Sequence, residues 1–189
     1  AAATQKTRRR DTLRADRLTG PSPVRLIRSH RMENLFDALT DAYWSGVPVV
    51  VVDRRPALPG VDVVRADSEG GALQLGRLLA GLGHRHMAVL TGPASVPTAV
   101  DRAAGFSRAL VEESGLPAPT VAHGAFTIES GRAMTLSVMG HVPRPTALFA
   151  ANNFIAIGAL RALYELKLRV PEDLSLAVFD DLPVQIAHF

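Results

Sequence analysis

Apolar and polar positions along this 189-residue chain alternate between two periods. Short apolar runs bounded by Gly, Pro or Asn read as strands, and longer segments with apolar residues three and four apart read as helices. A short strand is expected to begin at Val24–Ile27. After it the pattern predicts helix 32–45, strand 47–52, strand 61–66, helix 68–82, strand 86–91, helix 99–114, strand 121–125, helix 129–140, strand 146–150, helix 153–167 and strand 174–179. Strands alternating with helices of this length imply an α/β fold with parallel, doubly wound sheets and right-handed crossovers. The last unit is the clearest. Ala147 to Ala151 is bounded by Pro145 and Asn152, Asn152 stands where a helix N-cap belongs, and Pro171 closes the segment before the final strand. Two such parallel strands bring Asn152 and Asp180 to one carboxyl edge, where open α/β sheets bind ligands.

One interval breaks the alternation. Only Asp53 to Gly60 separates strands 47–52 and 61–66, which reads as too short for a parallel crossover within one sheet. The chain is therefore expected to change lobe there.

Composition narrows the class. Hydrophobic residues make up 47% of the chain, enough for a substantial core in one domain or two small lobes. No apolar run approaches the roughly 18 residues of a membrane span, and the Arg-rich start lacks the apolar centre of a signal peptide. The cytoplasm is the expected compartment and no membrane partner is expected. The absence of cysteine excludes disulfides, thiolate metal sites and cysteine nucleophiles. Charge is uneven: residues 1–31 hold nine basic and two acidic residues, net +7, whereas residues 32–189 are net −4. Without a helix-turn-helix or zinc-finger pattern beside it, the basic lead reads as a solvated helix face or frayed terminus rather than a DNA reader.

Several residues offer chemistry at strand ends. Asp53 and Asp180 each close a strand, so each lobe is expected to present a carboxylate at its carboxyl edge, facing one cleft. A carboxylate accepts hydrogen bonds from neighbouring hydroxyls, and Arg102 in the first turns of helix 99–114 supplies a planar fork of donors. Phe126 offers a ring for an apolar sugar face, and Asn152 both donates and accepts. Together they suit a polyol or sugar. Each also has a plainer reading: a surface ion pair of Arg102 with Asp101 or Glu112, a cap or turn at Asp180, and a core position for Phe126. His84 and His86 lack a third metal ligand nearby, and no metal or cofactor is expected. Dinucleotide, nucleoside triphosphate and serine-hydrolase loops are missing, and adjacent Asp180 and Asp181 make a poor shared-proton pair, so enzymatic activity is not expected.

The run from Phe149 to Asp181, FAANNFIAIGALRALYELKLRVPEDLSLAVFDD, closely resembles the effector-binding core of the lactose/galactose repressor family. Upstream, Gly46–Asp53, Asp67–Gly71, Leu82–Arg85, Thr91–Pro93 and Arg102–Phe106 follow in the family's order and at about its spacing. The resemblance implies a two-lobed fold like that of periplasmic binding proteins. Residues 1–65 would form a partial N-terminal lobe and 66–189 the C-terminal lobe, with the boundary near Arg65–Ala66. It implies that Asp53, Arg102, Phe126, Asn152 and Asp180 line an effector pocket. It further implies a homodimer that reaches operator DNA only through a headpiece absent from this chain. Asn153 replaces the family's usual Asp, and Arg65 stands where some relatives carry an aromatic. Arg65 would then face solvent or add a donor for an anionic effector, and Asp67 would cap helix 68–82 or fix the hinge. The expected function is the sensing core of a sugar-responsive transcriptional regulator. A sugar-binding protein of a transporter shares the fold but should carry an export signal, and a small enzyme using Asp180 as base would need a nucleophile or cofactor loop.

Overall fold

In the larger sheet, alternation along each strand decides which side chains reach which helical layer. β5 (Met87–Thr91) and β7 (Ala147–Ala150) are buried at every position and lie side by side in parallel. Met87, Val89, Ala147 and Phe149 turn to one face; Ala88, Leu90, Leu148 and Ala150 turn to the other. That is the two-residue period of a strand covered on both sides. β6 (Thr120–His123) and β8 (Ser175–Val178) flank them, giving the order β6-β5-β7-β8, all parallel. The computed structural model describes residues 14–16, 26–28, 39–46, 48–52, 59 and 61–181.

Helices α1 (Ser68–Gly81) and α2 (Pro97–Arg108) cover the Phe149 face, and α2 runs on into a single π turn, Ala109–Glu113. Phe106 stacks on Phe149 with ring centroids 4.8 Å apart. Helices α3 (Ile128–Met139) and α4 (Asn153–Glu165) cover the Leu148 face through Met134, Val138, Ile155 and Leu163. These two helices approach so closely that a Cβ on Gly158 would stand 2.1 Å from Ile128 O. Helices on both faces of a parallel sheet make the doubly wound arrangement read from the alternation. At the amino edge His84 binds Thr146 Oγ1 at 2.9 Å and Ser175 Oγ at 3.0 Å, which ties together the entries of β7 and β8.

The chain divides into two compact units, Ala1–Val64 and Arg65–Phe189. Two expectations for the first unit are corrected. β3 (Val50–Val52) and β4 (Asp62–Val64) pair in parallel within one sheet, Val50 opposite Asp62, although the sequence interval reads as too short for such a crossover. Three-residue strands span only about 10 Å, which the intervening chain can retrace without a helix. The second correction lies in the basic lead, where β1 (Arg14–Asp16) pairs antiparallel with β2 (Leu26–Arg28), so this sheet is not parallel. Of the expected helix 32–45, residues 39–44 are helical and 32–38 lie outside the described residues. Among the described residues no helix is long and apolar enough to cross a membrane.

Candidate functional site

β5 leads into α2 on one face of the sheet, while its neighbour β7 leads into α4 on the other. Their connections therefore leave in opposite directions, and the carboxyl ends of β5 and β7 border the crevice of a topological switch point. Ladder bonds continue one step past the strands and fix the backbone there: Ala151 N donates to Leu90 O at 2.9 Å, Gly124 N to Thr91 O at 3.0 Å and Phe179 N to Ala150 O at 3.1 Å. The Thr91 hydroxyl donates to Ala99 O at 3.1 Å and so anchors the first turn of α2.

From α2, Arg102 reaches across this crevice. Its Nη1 donates to Ala151 O just beyond β7 and lies 3.8 Å from Asp180 Oδ2 beyond β8. Its guanidinium carbon sits 3.8 Å from the centre of the Phe179 ring. The arginine side chain is only 11% exposed, whereas that of Asp180 is 42% exposed. A cation held by a carbonyl, an aromatic face and a carboxylate has its plane set in advance. Among the described residues it pairs with Asp180 rather than with Asp101 or Glu112. At 3.8 Å the contact with Asp180 is longer than a hydrogen bond, and the carboxylate keeps a solvent-facing side.

Asn152 caps α4, its Oδ1 accepting from Ile155 N at 2.9 Å, as the sequence pattern required. The oxygen is thus committed to the helix. Asn153 Oδ1 accepts from Phe154 N at 2.8 Å, so the amide that replaces the family's Asp serves the same helix start. Phe126 is half-buried against the α3/α4 core, and its ring lies on the backbone of Gly92; a Cβ on Gly92 would fall 2.2 Å from it. The structure thus brings Arg102 and Asp180 together, with Asn152 next to the carbonyl that Arg102 holds. It sets Phe126 at the end of β6, over the exit of β5. Asp53 lies outside the described residues. Asp67 caps α1, accepting from Gly70 N at 2.8 Å.

A periplasmic binding protein-like domain model matches residues 77–188, which is more than half of the chain. The chain belongs to that family. The HTH-type transcriptional repressor PurR of Edwardsiella ictaluri is 35% identical over 154 residues, covering 79% of this chain and 44% of that protein. A LacI transcriptional regulator from a Rhodococcus species superposes with a TM-score of 0.71 at 33% identity, over 85% of this chain and 57% of that one. A sugar-binding LacI-family regulator from Escherichia coli, complexed with phosphate, superposes with a TM-score of 0.68 at 30% identity, over 79% and 54%. Within the family the chain is an effector-binding core of the LacI/GalR type, and it spans about half the length of the relatives it matches.

Sequence reasoning missed three features of this periplasmic binding protein-like edge. Phe179 forms the floor under Arg102, yet as the last apolar residue of a strand it read only as core. The Ala151 carbonyl had no side-chain signal at all. His123 ends β6 and places its Nδ1 3.0 Å from Gly92 O, a contact that only the parallel register of Thr91 and His123 could have announced. Among the described residues no group of three His, Cys, Asp or Glu side chains could hold a metal ion.

Proposed function

We propose that this chain is the ligand-sensing core of a sugar-responsive LacI-type transcriptional regulator. Arg102 and Asp180 bind a small polyhydroxylated effector at the switch point, with Asn152 and Phe126 beside them. One observation carries the reading: a largely buried guanidinium spans the switch-point crevice, tied to Ala151 O and lying beside a half-exposed carboxylate. A fixed fork of donors next to an acceptor-only group matches a vicinal diol, which needs both kinds of partner. Effector binding shifts the population of one arrangement of the protein, and a tenfold preference requires about 1.4 kcal/mol, within reach of two charge-assisted hydrogen bonds. A homodimer carries that shift to operator DNA through a helix-turn-helix headpiece of the kind named in the PurR relatives. Kinship with repressors favours this role over a transporter's binding protein and over an enzyme.

The test is a thermal-shift panel of neutral sugars and sugar phosphates, followed by calorimetry. A ligand at 100 times its dissociation constant should add about 2.7 kcal/mol of stability. Arg102→Ala and Asp180→Asn should each weaken it by about 1.5–3 kcal/mol with the fold intact. Unchanged affinity in both variants would remove the site assignment.

A further inference from the structure

Arg65 is the first residue of the C-terminal unit, so the peptide leaving β4 enters that unit through it. Its Nη2 donates to Asp101 Oδ2 at 2.5 Å, with side chains 16% and 33% exposed. Asp101 directly precedes Arg102 in α2. The Arg65 Nε is buried and has no hydrogen-bond acceptor among the described residues, so Asp101 is the group that compensates this cation. Losing one partner of such a pair leaves an uncompensated charge in a poorly solvated place, and the two ends are held as one. α1 and α2 themselves cannot slide apart easily: a Cβ on Gly105 would stand 2.1 Å from Glu69 O, which shows backbone packed on backbone. A second pair, Arg77 of α1 with Glu113 of the π turn that follows α2, has the same sequence separation of 36, but it is exposed and does not involve the peptide leaving β4.

We propose that Arg65 and Asp101 form a relay: the pair fastens the peptide that joins the two units to the helix that presents Arg102. A displacement of the first turns of α2 at the effector site is thereby passed to the joining peptide. The signalling role rests on the reading of Arg102 as an effector contact. The coupling itself is a property of the ligand-free chain and can be measured there.

Hydrogen exchange of the ligand-free chain tests it. In Asp101→Asn and in Arg65→Gln, amides of residues 61–68 and of residues 99–104 should speed up together, by about tenfold or more, because opening either end now frees both. Glu113→Gln should leave both segments unchanged, which separates the relay from general loosening of the α1/α2 layer. The exchanged pair, Arg65→Asp with Asp101→Arg, should restore protection. Should a neutralised variant fail to fold, Arg65→Lys, which keeps the charge and loses the planar fork, should show the same paired increase at smaller size. Faster exchange confined to the mutated segment, or an equal response to Glu113→Gln, overturns the relay. If the paired response is present and Arg102→Ala leaves sugar binding unchanged, the effector reading fails while the relay stands.

Discussion

β3 and β5 are both short apolar strands, yet their surroundings differ completely. In β3 only Val51 is buried, at 6% exposure, while Val50 and Val52 are 60% and 68% exposed. In β5 every residue from Met87 to Thr91 is buried. Three consecutive valines are as good a strand former as Met-Ala-Val-Leu-Thr, so intrinsic preference does not separate them. Neighbours do. β5 has a strand on each side and helices on both faces, whereas among the described residues β3 has one partner, β4, whose three residues are themselves exposed. A strand acquires stability from the layers that cover it, and two strands alone are marginal.

Exchange rates would break this comparison most directly. Amides of β5 and β7 should exchange only on global opening, and those of β3 and β4 through local fraying, a difference on the order of a thousandfold or more. Equal protection measured by exchange mass spectrometry would show that β3 and β4 are covered by something beyond the described residues.

Truncations should follow the same division. Phe149→Ala removes the ring stacked on Phe106 at the centre of the larger sheet and should cost about 3–5 kcal/mol in urea unfolding. Val51→Ala removes less volume from a thinner layer, and its cost should stay near 1 kcal/mol. Comparable losses would mean that the first unit holds a core as dense as the second. Gly158→Ala should fall between them at about 1–3 kcal/mol, since the added methyl meets the Ile128 carbonyl and the helices must separate.

The same contrast explains what the sequence revealed. Helix 68–82 and strand 86–91 lie within a residue of the observed Ser68–Gly81 and Met87–Thr91, because cap and period agree with the packing there. Helix 99–114 begins two residues earlier than expected, at Pro97, a residue suited to a helix's first turn. In the first unit the signals were weaker. The Arg14–Asp16 strand is short and sits in a basic run, so no apolar period marks it. The partnership of Arg102 with Asp180 follows from strand order, but its seat on Phe179 and its bond to Ala151 O do not. They depend on a backbone carbonyl and a ring whose directions only the fold sets.

Within the second unit the comparison can be sharpened at one residue. α4 ends with Leu168 N donating to Leu163 O at 2.9 Å and Lys167 N to Tyr164 O at 3.0 Å, with Lys167 at φ 57°. That left-handed turn favours glycine, and a non-glycine residue there costs about 1–2 kcal/mol. Lys167→Gly should therefore raise stability by about 1 kcal/mol in urea unfolding, with unchanged exchange in β3 and β4. A loss of stability would mean that the lysine stem supplies packing that outweighs the strain.

The smallest expected effect concerns acid. Among the exposed ion pairs of the second unit are Arg77 with Glu113, Arg132 with Glu165, and Arg169 with Asp173. Hydrogen bonds from the arginines hold Glu113 and Glu165 below the usual 4.5 and Asp173 below 3.8, with the nearby positive charge adding to the effect. The folded carboxylates bind protons more weakly than the unfolded ones, so their contribution is complete above the unfolded values. It fades as pH falls through the lowered folded values. Solvent screening keeps each contribution small. Urea midpoints measured between about pH 6 and pH 3 should decline slightly less steeply in Glu165→Gln than in the parent, because one proton-linked group has been removed. A steeper decline in the variant would reverse the sign of this linkage and show that Glu165 is proton-stabilised in the folded state.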